Sequence, residues 1–288
     1  SIGKKAHVYI FFCNETGTRD IWNNTKTLAY WKYDDSAQLG KDSHTWVIRL
    51  EQIRATLNGQ VGDRKLRLGI AGGEWLKMVS NETARTNFAN NVKNVLDKYN
   101  MDGVDLDFEW AYSSSELINY SKAIVKLRGV LGKNVFFTVS LHPVSYKISK
   151  EAIAAVDFIS LQCYGPSPVR FPVEKYCSDI QMVLKYGIPK EKLVAGVPFY
   201  GVTKDNSKKT EAYFSFVQNG LITSPAENEV NYKGEVYVFD GQDNIRIKTR
   251  YAKEQGLKGM MSWDLATDLP LDNSQSLLKA MIEELNKE

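Results

Sequence analysis

The sequence predicts an α/β fold closed as a parallel barrel, and three observations carry that prediction. The first is the run Asp102-Gly103-Val104-Asp105-Leu106-Asp107-Phe108-Glu109-Trp110. It alternates at a period of two, so Asp105, Asp107 and Glu109 share one strand face and Val104, Leu106 and Phe108 the other. The second is its flanks: Phe88, Val92, Val95 and Leu96 before it, and Leu117, Ile118, Ile124, Val125 and Leu127 after it, recur at helical spacing. A strand between two helices belongs to a crossover unit whose apolar face is covered. Its acidic face must then look into a place that tolerates three acids, such as the inside of a parallel barrel near its C-terminal mouth. The third is length: 288 residues against the ~250 typical of such a barrel. The expectation is a single domain over residues 1–288.

Taken in order, residues 7–12 are an aromatic and β-branched run that reads as the first strand. A short helix is expected over 19–24, a second strand over 27–33 closed by Asp34-Asp35-Ser36, and a helix over 46–57. The third strand covers 66–73, where Gly72 and Gly73 permit close backbone approach or a sharp bend. Trp75 follows, either offering a stacking face or packed. A helix over 81–99 opens on the capping residues Ser80-Asn81-Glu82-Thr83 and leads into the acidic fourth strand. Trp110 and Tyr112 sit on the loop beyond it, where exposed aromatics imply something to stack on. The fifth strand is 135–141, ending at His142, which reads as a satisfied structural residue. The sixth is 155–164, the seventh 193–201 and the last 259–263, with Asp264 and Asp268 after it. Between 201 and 259 the pairs Asn219-Gly220, Lys233-Gly234 and Asp240-Gly241 mark turns, with hairpin structure and a helix over 247–255. An amphipathic helix over 274–285 comes last.

Composition narrows the function classes. Hydrophobic content of 43% and charged content of 25% fit an ordinary globular protein. The net charge of +3 is spread along the chain without a basic run that would track phosphates, which argues against nucleic acid. No apolar stretch reaches the ~18 residues of a membrane span, and Ser1-Ile2-Gly3-Lys4-Lys5 leads into a strand-like run rather than a signal peptide. Cys13, Cys163 and Cys177 are odd in number and lack metal-ligand spacing, and with three histidines no metal site is expected. The chemistry therefore falls to the acidic strand. Carboxylates roughly 6–7 Å apart on one face, at ~3.3 Å rise per residue, cannot all stay ionised in a poorly hydrated site. Like charges and desolvation raise at least one pKa. Glu109 ends the run nearest the mouth and is the candidate proton donor.

The pattern Asp102-x-x-Asp105-x-Asp107-x-Glu109 resembles the DxxDxDxE signature of family 18 glycoside hydrolases, the chitinases and endo-β-N-acetylglucosaminidases that fold as (β/α)8 barrels. Residues 193–201 resemble the family's LxxGxPFYG stretch, and 259–263 its GxMxW strand. Asp157-Phe158-Ile159 and Tyr164 match DFIxxMxYD, with Gln162 in the methionine's place and Gly165 in the final aspartate's. Ala71-Gly72-Gly73 corresponds to the SxGG strand end, without its serine. The resemblance implies a (β/α)8 barrel with no or a reduced α+β insertion between strands 7 and 8. It implies that Glu109 protonates the glycosidic oxygen while the substrate's acetamido oxygen attacks the anomeric carbon. Asp107 orients the acetamido group, Asp105 holds or shares a proton, and Tyr164 hydrogen-bonds the acetamido carbonyl. Trp263 floors the −1 sugar, and Gln162, Gly72, Trp110, Tyr200 and Asp264 complete substrate binding. No cofactor or metal is implied. The expected partner is an N-acetylglucosamine oligosaccharide or a glycoprotein glycan, the expected state a monomer, and the expected location secreted, periplasmic or cell-surface. The Gln162-x-Tyr164 pattern is similar to that of endo-β-N-acetylglucosaminidases acting on the N-glycan core, and a non-catalytic lectin of the same fold is the alternative from another class.

Overall fold

The computed structural model describes residues 5–12, 65–71 and 75–287. The helices expected over 19–24 and 46–57, the strand expected over 27–33, Cys13, Gly72 and Gly73 lie outside them. The chain divides into two compact units, Gly3–Ile159 and Ser160–Glu288, the latter with Ser1–Ile2.

In the first unit β1 (Lys5–Phe12) pairs in parallel with β2 (Lys65–Ala71). The helices α1 (Trp75–Ser80) and α2 (Glu82–Lys98) follow, then β3 (Gly103–Leu106), which pairs in parallel with β2. After α3 (Ser114–Leu131), β4 (Phe136–Leu141) pairs in parallel with β3, so that Asp105 lies opposite Thr138. The helix α4 (Lys150–Ala155) leads into β5 (Phe158–Gln162), whose first ring, Phe158, stands edge-on to Phe136 at 5.6 Å. Strand, helix and parallel strand thus alternate as the periodicities require. The helix starts follow from capping chemistry. The Asn81 side chain accepts the Ala84 N–H at 2.9 Å, and Ser113 and Glu116 form a reciprocal capping box. Val104, Leu106 and Phe108 are all buried, and Phe108 is packed among Trp75, Phe88 and Tyr120. Each such side chain contributes roughly 1.5–3 kcal/mol. Gly103 is glycine because a Cβ there would collide with the Phe136 carbonyl.

The second unit contains α5 (Val173–Tyr186) and β6 (Leu193–Pro198), followed by β7 (Tyr200–Thr203), β8 (Thr210–Ala212), α6 (Tyr213–Gln218), β9 (Glu229–Tyr232) and β10 (Glu235–Val238). Then come α7 (Gln242–Glu254), β11 (Gly259–Trp263) and α8 (Leu277–Leu285). β6 and β11 pair in parallel, with Met261 opposite Gly196 and Trp263 opposite Pro198. The four strands β8-β7-β10-β9 form a small antiparallel sheet. Phe216 is its core, 5.8, 5.6 and 5.2 Å from Tyr232, Tyr237 and Phe239. The insertion is therefore reduced rather than absent. Lys233 and Gly234, both at positive φ, make the tight turn joining β9 to β10.

Among the buried carboxylates of this unit, Asp240 and Asp179 meet cations directly. Lys248 Nζ lies 2.6 Å from Asp240 Oδ2, with neither side chain exposed, and also donates to the Phe171 carbonyl at 2.7 Å. Asp179 is bound by Arg170 at 3.1 Å and by Lys175. Cys163 and Cys177 are free thiols, and burial pushes the Cys163 thiol up. Among the described residues no helix is long and apolar enough to cross a membrane.

Candidate active site

The acidic run is held differently along its length. The strand expected over 102–110 ends at Leu106, and Asp107 adds one more rung by donating its N–H to the Ile70 carbonyl at 2.8 Å. Residues 108–112 lie outside any strand, although β4 itself runs on to Leu141. The alternation survives in burial all the same: Leu106 and Phe108 are buried, Asp107 is half-buried and Glu109 is exposed.

Asp105 is the buried member. Its Oδ2 accepts Ser140 Oγ–H at 2.8 Å, its Oδ1 accepts the Thr138 hydroxyl, and Arg67 Nη1 lies 3.7 Å from Oδ1. Arg67 is itself buried, donates to Thr138 Oγ1, and lies 4.8 Å over the Phe158 ring. Burial raises the Asp105 pKa above its ordinary value, opposed first by the Arg67 charge and then by the two hydroxyls. An upward shift thus falls on Asp105, and its largest cause is desolvation, one of the two causes expected. Arg67, Thr138 and Ser140 were not singled out by the sequence reading, although signals for them exist. Arg67 is the one charge inside the apolar run 66–71. Thr138 and Ser140 alternate at period two on the strand that pairs with β3.

Around the run, Trp110 is half-buried with its ring 5.1 Å from His142, whose Nδ1 accepts the Val144 N–H at 3.2 Å. His142 is thus packed and bonded, as the sequence reading had it. Tyr112 is 71% exposed. Trp75 is packed rather than open: it is buried and stacks on Phe108 at 5.0 Å with planes 13° apart.

The second unit brings Tyr164, Tyr200 and Met261 together. Tyr164 is buried, stands edge-on to Tyr200 at 6.3 Å, and its hydroxyl donates to Met261 Sδ at 3.5 Å. Gly196 makes this approach possible, since a Cβ there would press on Leu161 O, Met261 and the Tyr164 ring. The Tyr200 hydroxyl donates to the carbonyl of Gly165, the position that lacks the family's aspartate, at 3.3 Å. Gln162 is buried at the end of β5. Trp263 is half-buried at the end of β11, its carbonyl accepting the Phe199 N–H at 2.8 Å. Asp264 is a cap: its Oδ1 accepts the Ala266 N–H at 2.7 Å, and its carbonyl accepts the Thr267 hydroxyl. Asp268 is buried and accepts the N–H groups of Leu277 and Leu278 at the start of α8. Among the described residues no group of His, Cys, Asp and Glu could hold a metal ion.

Comparison with known proteins gives a consistent picture. A family model described as Glycosyl hydrolases family 18 matches residues 6–268. A class V chitinase of Arabidopsis thaliana is 28% identical over 73% of this chain and 70% of its own length. A probable chitinase 2 of Drosophila melanogaster is 27% identical over 73% of this chain, which spans about half (48%) of that protein. Among solved structures, a chitinase from Bacteroides thetaiotaomicron matches with a TM-score of 0.77 at 18% identity, over 99% of this chain and 89% of its own. A class V chitinase mutant from Nicotiana tobaccum in complex with NAG4 matches at 0.73 and 17%, over 99% and 92%. A chitinase-like agglutinin from Robinia pseudoacacia matches at 0.73 and 16%, over 98% and 93%. At such identities the structural likeness speaks for the fold, the (β/α)8 barrel.

Proposed function

Because the chain belongs to the glycosyl hydrolases of family 18, we propose that it cleaves β-1,4 linkages of N-acetylglucosamine-containing glycans as a chitinase does, with Glu109 as general acid and base. The observation that carries this reading is the grading of the acidic run. Asp105 is buried with its pKa raised, Asp107 is half-buried, and Glu109 ends the run within reach of solvent and hence of substrate. The match over residues 6–268 runs through both compact units, which supports treating the chain as one catalytic domain.

In this proposal Glu109 gives its proton to the bridging oxygen, whose bond to the anomeric carbon breaks as the substrate's own acetamido oxygen closes on that carbon and the leaving sugar departs as an alcohol. The oxazolinium ion that results is opened by water with retention, so no protein nucleophile is needed. Asp107 orients the acetamido group and stabilises the charge on its nitrogen. Asp105 serves as the proton reservoir behind Asp107. Its cradle suits that task, because the hydroxyls of Thr138 and Ser140 can donate to a carboxylate or accept from a carboxylic acid. Tyr164 is assigned the acetamido carbonyl, fixing its line of attack, and Trp263 the face of the −1 sugar. The polymeric substrate class supports export from the cell.

Two other readings have specific support. Gln162 and Tyr164 favour action on the N-glycan core, and the likeness to an agglutinin favours binding without cleavage. Product analysis on a labelled chitooligosaccharide and on a high-mannose glycoprotein separates all three. We expect release from the oligosaccharide. Release from the glycoprotein alone would assign the chain to the endo-β-N-acetylglucosaminidases, and calorimetric binding with no hydrolysis would make it a lectin.

A further inference from the structure

Residues 107–113 belong to no helix or strand, so individual tethers set where Glu109 stands. At the near end Asp107 N–H donates to the Ile70 carbonyl at 2.8 Å. At the far end the Glu116 carboxylate accepts the N–H groups of Tyr112 and Ser113 at 2.8 and 2.9 Å. Between these ends two side chains reach in from the two flanking strand ends. Trp75, which follows β2, donates its indole Nε1–H to the carbonyl of Glu109 itself at 3.2 Å. Ser145, which follows β4, accepts the Ala111 N–H on its Oγ at 3.0 Å.

Neither side chain is free to drift. The Trp75 indole is buried, stacked on Phe108 at 5.0 Å and against Tyr120 at 5.3 Å. Ser145 is buried, and its own N–H donates to the His142 carbonyl at 2.7 Å while the His142 ring lies against Trp110. An indole recruited only for its bulk would meet its burial needs through the ring. Its N–H must find an acceptor once buried, and the acceptor it takes is the backbone of the acid-bearing residue.

We propose that Trp75 and Ser145 are positioning residues that clamp the backbone on either side of Trp110, one at the Glu109 carbonyl and the other at the Ala111 N–H, and so hold the Glu109 carboxyl at a fixed height. The proposal rests on the reading of Glu109 as proton donor. The clamp's hydrogen bonds go to backbone of the acid-bearing segment, and the sugar is left to other residues. Since a displacement of ~1 Å in a reacting group can cost 10²-fold in rate, a partial loosening is expected to cost about tenfold.

The test compares Trp75→Phe, which keeps a ring on Phe108 but has no N–H, with Ser145→Ala, which removes the hydroxyl. Each is measured for kcat and KM on a chitooligosaccharide, for thermal midpoint, and for amide exchange across residues 107–113. We expect kcat to fall about tenfold in each, KM to stay within about twofold, and exchange in this segment to accelerate without a matching change elsewhere. A loss of activity that only tracks the folded fraction, or wild-type kcat with unchanged exchange, would overturn the clamp. If the wild-type chain cleaves no N-acetylglucosamine oligomer, the reading of Glu109 fails by itself. Amide exchange then still decides on the clamp, and an unchanged profile in both variants rejects it.

Discussion

Asp105 in the first unit and Asp240 in the second are both buried, and burial pushes both carboxyls upward, but what opposes that push differs. Asp240 touches the Lys248 ammonium at 2.6 Å. An ammonium can only donate, so a protonated Asp240 would lose the ion pair and find no acceptor there for its own hydrogen. Asp105 touches two hydroxyls, with the Arg67 charge set back at 3.7 Å behind Thr138. Hydroxyls satisfy a carboxyl in either state. The lesson is that a carboxylate built into the scaffold is neutralised at contact, while the one proposed as a proton reservoir is given partners that tolerate gain and loss of a proton.

The largest effect should come from the scaffold pair. Lys248→Met strands the Asp240 charge and is expected to cost about 3–5 kcal/mol in urea unfolding, with the remaining folded protein keeping its kcat. A cost near zero would show that the pair is not held as drawn. Ser140→Ala removes one of the two hydroxyls from Asp105, for a cost of about 1–3 kcal/mol. Unlike the lysine change it should also lower kcat, and a stability loss without a rate change would put Asp105 on the same footing as Asp240.

The pH dependence of stability sharpens the contrast. With its folded pKa raised, Asp105 contributes stability that is fully present below its ordinary value of 3.8 and is lost as pH rises through the raised value. Within that window the wild type should lose up to about 1.4 kcal/mol per pH unit from this group, and Asp105→Asn should abolish that part of the slope. Denaturation midpoints measured across the acid range decide it, and a steeper slope in the variant would reverse the sign of the argument. The smallest effect is expected at the start of α3: Ser113→Ala removes the side-chain half of the capping box for about 1 kcal/mol, read as a shift in thermal midpoint with KM unchanged.

Much of the first unit was legible in the sequence because local rules and tertiary needs agree there. Val104, Leu106 and Phe108 alternate and are buried, and α2 starts at Asn81 as its capping residues announce. The strand nevertheless stops at Leu106, although the alternation runs on to Glu109 and the neighbouring β4 to Leu141. Arg67 is not legible as a buried site residue, because the sequence gives a single charge in an apolar strand no partner until the neighbouring strands are known. Trp75 could have been a sugar platform or a packed ring, and only the rings of Phe108 and Tyr120 decide between them. In the second unit the turns at Asn219-Gly220 and Lys233-Gly234 were visible, but the four-stranded antiparallel sheet they serve was read as little more than a hairpin. Its order β8-β7-β10-β9 is a long-range property that turn chemistry does not encode. Asp264, grouped with the substrate contacts on resemblance, has its Oδ1 engaged in capping the turn after β11.

The claim on which the account turns is that the Glu109 carboxyl delivers the proton to the glycosidic oxygen. The initial rate of chitooligosaccharide cleavage by Glu109→Gln, set against the wild type at the same concentration of folded protein, tests it most directly. General acid catalysis contributes ~10²–10⁴-fold, so the rate should fall by at least that range while the oligosaccharide still binds; turnover close to wild type would contradict the account.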